Sequence, residues 1–353
     1  MSQLDYLILL PILLPLGGGI VIALTHRWYS KIGKALVSVI AAATFGAILV
    51  VFLLDRPLHV EFARLVDYGL SLEVTPLGII MALLTAFLWL LASIYSLVYL
   101  EHDHSPVRFY SFFFLTLAGT MGVFLAADYF SLFLFFELMT FCAYPLVVHE
   151  EDQRALSAGN VYLYLSVIGG LVLLFGIFAL VSATGSASMQ PALDSIAQSS
   201  VGIYVLAGAF LVGFGVKAGI IPLHIWLPKA HPVAPSPASA MLSGIMIKTG
   251  VYGIIRVFMT TLSSATGKAT YTHSVQNLGL AIIFISLVTM IGGAIMALLQ
   301  DNLKRILAYS SISQIGYILL AVGSAVYLAK DGGLAYTGAI YHIVNHAVFK
   351  SGL

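Results

Sequence analysis

The sequence predicts an all-α membrane protein, a polytopic helical bundle of about eleven transmembrane segments. Three observations carry this. Hydrophobic residues make up 60% of the 353 and charged residues only 9%, where a soluble domain carries about a quarter charged residues. Mean hydropathy is +1.01. Apolar runs of about 20 residues, long enough to cross a hydrocarbon core about 30 Å thick, recur along the whole chain.

Taken in order, the first run covers 4–25. It follows Met1 to Gln3 with no basic n-region and no small-residue cleavage pattern, so it reads as a retained helix and not a signal peptide. A second run covers 32–54, and the polar stretch 55–76 after it reads as a surface loop. Runs at 77–100, 108–126 and 128–149 follow, the last two parted only at Ala127 and Asp128. Next comes 158–183, then a Ser/Ala/Gln-rich connection at 184–199, also read as a loop. Runs at 200–222, 235–262, 276–299 and 304–327 complete ten spans, and an eleventh starts at 335. No linker separates them, and 1–353 reads as a single membrane domain.

Composition also excludes classes of partner. A net charge of +1 leaves no basic excess to neutralise phosphates, which argues against nucleic acid. The single cysteine, Cys142, rules out a disulfide framework or a cysteine-ligated zinc or iron–sulfur centre within these residues. The expectation is therefore no cofactor and no metal in this chain, with any redox centres on other subunits.

Basic residues set an expected orientation. With the N-terminus outside, the cytoplasmic connections hold Arg27, Lys31, Lys34, Arg108, Arg154, Lys229, Lys304 and Arg305, and the outer ones Arg56, Arg64, Arg256, Lys268 and Lys330. The first group is the larger, which favours N-out. Of the 16 Lys and Arg residues, only Lys217, Lys248 and Lys350 remain, all inside apolar runs. Among the acids only Glu137 lies deep in a run. An ionisable group in hydrocarbon costs about 3 kcal/mol even on the lenient insertion scale and by default marks an ion or proton path.

Glu137 falls about 13 Å along its helix from Asp128, near mid-membrane. Paired with an ammonium it can hold or release a proton as the partner distance changes; a static helix-tying pair is the alternative. Lys217 is the candidate partner. Pro222 and the flanking glycines Gly215 and Gly219 predict a broken helix there. Snorkelling of Lys217 to an interface is the competing reading. Lys248 lies too deep to snorkel and has small neighbours, Ser243, Gly244, Thr249 and Gly250, that leave room for close packing and water.

His342, His346 and Lys350 recur at i, i+4 and share one helical face. Two histidines four apart can hold zinc, but no third ligand is nearby in sequence, and a chain of proton carriers fits better. His224, just past Pro222, extends the same polar axis or serves as a structural histidine.

These residues resemble a known family. The stretch from Gly215 to Arg256 opens Gly-Val-Lys-Ala-Gly-Ile-Ile-Pro-Leu-His-Ile-Trp-Leu-Pro and continues through Met-Leu-Ser-Gly-Ile-Met-Ile-Lys-Thr-Gly. It is similar to the proton-translocation signature of the antiporter-like subunits of complex I, Mrp antiporters and membrane-bound hydrogenases. Phe136-Glu137-Leu-Met, the run from Asp301 to Gly316, and His342-Ile-Val-Asn-His346-Ala-Val-Phe-Lys350 match as well.

The resemblance implies two inverted five-helix repeats, with a discontinuous helix near Pro222. Residues 1–107 would be an N-terminal scaffold, 108–262 the first proton-channel repeat, and 276–353 the start of an incomplete second. It further implies that Glu137 and Lys217 form a coupled pair, that Lys248 is the central relay, and that His346 and Lys350 lead onward. The implied setting is a bacterial or archaeal cytoplasmic membrane, beside other membrane subunits and redox subunits carrying iron–sulfur centres.

The run from His231 to Pro237 leans toward the formate-hydrogenlyase branch. The second repeat's own broken helix is missing before Leu353, which suggests a C-terminally truncated chain. The functional expectation is a proton-translocating subunit of a redox-driven complex, of hydrogenase or NADH-quinone oxidoreductase type. The alternative is a Mrp-type sodium/proton antiporter subunit.

Overall fold

The computed structural model describes residues 3–25, 29–62, 69–263 and 272–353; Arg27, Arg64 and Lys268, used above for orientation, lie outside them. Ten stretches among the described residues are long and apolar enough to cross a membrane, and the last, Leu303–Gly352, is 50 residues long and contains two helices. The chain is a multi-pass, all-α membrane protein. It forms two compact units, Met1–Gly159 with Val233–Met241, and Asn160–Pro232 with Leu242–Leu353.

In the first unit a 3-10 turn at Gln3–Leu9 leads into α1 (Leu10–Leu24), followed by α2 (Tyr29–Leu53) and α3 (Pro76–Tyr99). Then come α4 (Pro106–Leu125) and α5 (Tyr129–Val147), and α6 (Gln153–Thr184) starts here before crossing into the second unit. Helix starts carry caps: Thr75 accepts the Gly78 N–H with Pro76 in the first turn, and Asp128 accepts the Ser131 N–H at 2.8 Å. α4 is the central helix, flanked by α1, α3 and α5. Two of its buried hydroxyls answer to their own helix, Thr116 to Phe112 O and Thr120 to Thr116 O. Such back-bonds satisfy hydroxyls where no water competes.

The connection at 55–76 departs from the expected loop. β1 (His59–Glu61) pairs antiparallel with β2 (Ser71–Glu73), and Leu72 bridges to Ala126. Strands so short carry little periodicity, and only their pairing makes them visible. Val60 and Leu72 bury their side chains while their neighbours stay more exposed, so the hairpin caps the bundle end.

The second unit continues with α7 (Leu193–Gln198), a turn of helix inside the other expected loop, then α8 (Ile203–Ala218) and α9 (Leu227–Val233). α10 (Ser236–Met241) belongs to the first unit, against α3 and α5. A π-helical segment at Leu242–Met246 leads into α11 (Ile247–Ile255), and a second π segment follows at Arg256–Thr261. α12 (Thr272–Leu298), α13 (Leu303–Leu328) and α14 (Gly333–Gly352) complete the fold. α13 starts at the Asn302 cap and lies between α12 and α14. α11 is wholly buried, whereas α12 presents Leu280, Phe284, Ile291 and Ile295 outward, as a lipid-facing helix does.

Candidate functional site

The broken helix forms where expected. α8 ends at Ala218, and Gly219 closes it in the left-handed region, φ 74°, donating its N–H to Gly215 O at 2.9 Å. A 3-10 turn at Leu223–Trp226 and then α9 resume the span after Pro222. Groups freed by the break find partners within the unit. Trp226 Nε1 donates to Val216 O at 2.6 Å, and the Ile221 N–H donates to Thr289 Oγ1 of α12 at 3.2 Å. A break whose backbone is satisfied this way is stable at membrane depth.

Lys217 lies in the last turn of α8, 2% exposed, so its amine is held inside and does not reach an interface. Its Nζ donates to the Tyr162 hydroxyl of α6 at 3.0 Å and sits 4.7 Å from the Tyr162 ring centre and 5.8 Å from that of Trp226. The two rings meet edge to face at 5.3 Å. The faces of both rings and the Tyr162 hydroxyl line one side of the amine.

Lys248 is fully buried, and its Nζ donates to the Ser243 carbonyl at 2.6 Å, inside the π segment that precedes it. π segments inside α-helices misalign the backbone ladder and occur often at functional sites. Gly250, two residues on, lets α11 approach α8: a Cβ there would overlap the Phe214 carbonyl oxygen and come within 2.6 Å of the Ala218 nitrogen.

α14 and α13 form a polar seam. His342 Nε2 meets Gln314 Oε1 at 2.8 Å, and Lys350 Nζ donates to Ser310 Oγ at 2.6 Å. His346, between them, is fully buried, and neither ring nitrogen has a hydrogen-bond partner among the described residues. Its ring is 6.4 Å from that of His342. His224, half-buried beyond the break, has its ring 6.2 Å from Tyr309 of α13. The second unit thus gathers Lys217, Lys248, His224, His342, His346 and Lys350. No metal-ligand cluster of three forms around His342 and His346 among the described residues.

Glu137 belongs to the first unit, half-buried on α5 one residue past the buried Phe136. The same helix ends at a second group of charged residues, at a bundle end outside the spans. His149, fully buried, meets Asp103 Oδ1 through Nε2 at 2.9 Å, and Arg108 pairs with Glu151 and donates to His149 O at 2.7 Å. Burial alone would raise the Asp103 carboxyl, but the Ser105 N–H and His149 outweigh it and hold its pKa below the usual range. Burial pushes His149 down in spite of Asp103, so the imidazole is neutral at neutral pH.

Several partners were not legible in the sequence. Tyr162 lies 55 residues from Lys217 and Ser310 lies 40 from Lys350. Ser310 and Gln314, spaced i, i+4, are the one signal that could have marked the inward face of α13. No periodicity flags Tyr162.

The fold and these buried amines define a class: polytopic membrane proteins with a broken helix and titratable side chains in the bundle interior. More narrowly, the chain belongs to the NADH:quinone oxidoreductase/Mrp antiporter transmembrane family, whose pattern matches residues 126–353, while the complex I chain 5 N-terminal pattern matches 63–110. This is the family that the motifs resemble.

Hydrogenase-4 component B of Escherichia coli K12 is 33% identical over 80% of this chain and 42% of its own length. A Na(+)/H(+) antiporter subunit of Alkalihalophilus pseudofirmus is 31% identical over 99% of this chain and 69% of its own. A chain of the membrane-bound sulfane sulfur reductase, an archaeal respiratory membrane complex, superposes with TM-score 0.80 at 29% identity, covering 97% of this chain and 55% of that one. A chain of the Mrp complex from Dietzia has the same fold, TM-score 0.82 at 20% identity, covering 100% of this chain and 64% of that one. This chain therefore spans about two fifths to two thirds of the length of these relatives.

Proposed function

We propose that this chain is a proton-translocating, antiporter-like subunit of a multi-subunit membrane complex, with redox chemistry on its partners. The observation that carries the reading is Lys248: fully buried, with a neutral carbonyl as its acceptor. A lysine salt-bridged to a carboxylate is held charged, whereas one bonded to a neutral oxygen can exist as amine or ammonium. Lys350, on Ser310 Oγ, has the same character. Lys217 would load and release a proton in its aromatic surround, with Glu137 as acidic partner by the motif resemblance. His346, with His342 and His224 as further carriers, would continue the path, because an imidazole has one nitrogen to take up a proton and another to pass one on.

Redox coupling draws support from the hydrogenase-4 and sulfane sulfur reductase relatives. Iron–sulfur partner subunits, a cytoplasmic membrane location and an outward N-terminus belong to the same proposal. A second reading, a sodium/proton antiporter subunit without redox partners, is favoured by the Alkalihalophilus antiporter relative that matches 99% of this chain.

The test is proton uptake by inverted vesicles carrying the assembled complex. Lys248→Met and Glu137→Ala each remove a carrier, the first by an apolar side chain of similar length at an amine with no carboxylate partner among the described residues. Both variants should assemble and lose proton transport at least about tenfold, a barrier rise of about 1.4 kcal/mol. Wild-type transport by an assembled Lys248→Met complex would refute the relay. Rescue of a salt-sensitive host that needs sodium exchange, with no redox subunit co-purifying, would select the second reading.

A further inference from the structure

Where the turn between α3 and α4 meets the end of α5, three ligand-bearing side chains converge outside the path described above. Asp103 and His104 lie in the first connection and His149 follows α5, 46 residues from Asp103. His149 Nε2 is 2.9 Å and His104 Nδ1 3.7 Å from the same Asp103 oxygen, and one ligand atom from each residue lies within 4.8 Å of the others. It is the one such group of three among the described residues.

We infer that Asp103, His104 and His149 form a binding site for a divalent transition-metal ion of the zinc class. Two imidazoles and one carboxylate are a recurrent donor set for such ions, and three protein ligands leave a fourth position for water. The orientation of the His104 ring favours ligation through Nδ1. Its Nε2 faces His149 O at 3.1 Å and the Arg108 guanidinium at 3.4 Å, and in the tautomer that donates Nε2–H to that carbonyl, Nδ1 presents its lone pair on the Asp103 side. A backbone carbonyl that fixes a ligand histidine in this way is the usual outer partner of a metal site. His149 ligates through Nε2 by moving its proton to Nδ1, the buried nitrogen that has no hydrogen-bond partner among the described residues.

The preorganisation is uneven. The side chains of His149 and Asp103 are 0% and 11% exposed, so they are fixed by packing, while that of His104 is 48% exposed and held only through its Nε2 contacts. Atoms bound about 2 Å from one ion stand no more than about 4 Å apart, so the widest pair must close by about 1 Å, within reach of one surface side chain. Arg108 is the nearby cation, its guanidinium 3.4 Å from His104 Nε2, and Glu151 offsets its charge. A bound ion would pin the α3–α4 turn to the end of α5, the helix that carries Glu137.

The experiment is titration of the purified full chain, stripped with chelator, with zinc alone by calorimetry and with cobalt alone by visible absorption. One ion per chain is expected, with cobalt showing the ligand-field bands of a low-coordinate site. Asp103→Asn and His104→Gln, both close in size to the residues they replace, should weaken binding at least about 10- to 100-fold, the cost known even for outer-shell changes. His102→Ala, on the exposed neighbour, should leave it unchanged. Thermal unfolding of each metal-free variant verifies that the fold is kept. Absence of stoichiometric binding to the wild-type chain, or equal affinity in Asp103→Asn and His104→Gln, would overturn the assignment and leave the cluster a hydrogen-bonded tie.

Discussion

At Lys217, the phenol of Tyr162 touches the amine directly, at 3.0 Å, without carrying a permanent charge. A hydrogen bond to a charged group is worth about 1.5–3 kcal/mol, twice a neutral one. The bond is charge-assisted while Lys217 carries its proton, so the hydroxyl is the contact through which Tyr162 would act on proton transfer. Tyr162→Phe deletes the hydroxyl and keeps the ring, hence the packing against Trp226 at 5.3 Å. Proton transport should fall several-fold while thermal stability falls by no more than about 3 kcal/mol. Trp226→Phe should leave the Tyr162 bond in place but free the Val216 carbonyl, and cost more stability than transport. Equal transport in Tyr162→Phe and wild type would remove Tyr162 from the proton path and reduce it to a wall of the site.

The break between α8 and α9 is an element with one residue responsible for its shape. Gly219 sits at φ 74°, and a Cβ there would meet nothing nearer than 3.8 Å, so substitution changes backbone strain without crowding. Left-handed backbone costs an L-residue about 1–2 kcal/mol, less for Asn. Gly219→Ala should therefore destabilise the assembled protein by about 1 kcal/mol, with Gly219→Asn intermediate between it and wild type. Thermal unfolding of the three in one detergent checks the order, and a more stable Ala variant would mean that the break relaxes into continuous helix. This element was legible beforehand because Gly and Pro punctuate an otherwise uninterrupted apolar run. The π segments around Lys248 were not, since Leu-Ser-Gly-Ile-Met has no residue that an ordinary helix would refuse. Helix bounds were read to within a few residues, 108–126 against Pro106–Leu125 and 304–327 against Leu303–Leu328, because the water-to-lipid boundary imposes them. Inward faces were harder: lipid-facing and buried residues are both apolar, so only polar and small residues mark the inside. That is why Lys217, Lys248 and Lys350 stood out and Tyr162 and the Asp103–His149 tie did not.

For the whole molecule, orientation decides which water a proton leaves and which it enters. Successive spans alternate direction, so an outward N-terminus puts the α5–α6 connection inside and the turn between α13 and α14 outside. The described basic residues agree in sign: Lys34, Arg108, Arg154, Lys229, Lys304 and Arg305 fall on one side by this alternation, and Arg56, Arg256 and Lys330 on the other. The exposed residues Glu150 and Asp331 lie in those two connections and offer a direct reading. In a Cys142→Ser background, which removes the only thiol, Glu150→Cys should resist a membrane-impermeant maleimide on intact cells and react in inverted vesicles. Asp331→Cys should show the reverse. Labelling of both from the same side would break the alternation, and a clean exchange of the two patterns would turn the molecule over. In the inverted case the Asp103–His149 end, with its candidate metal ligands, would face the outside, and added zinc would reach it in intact cells without a carrier.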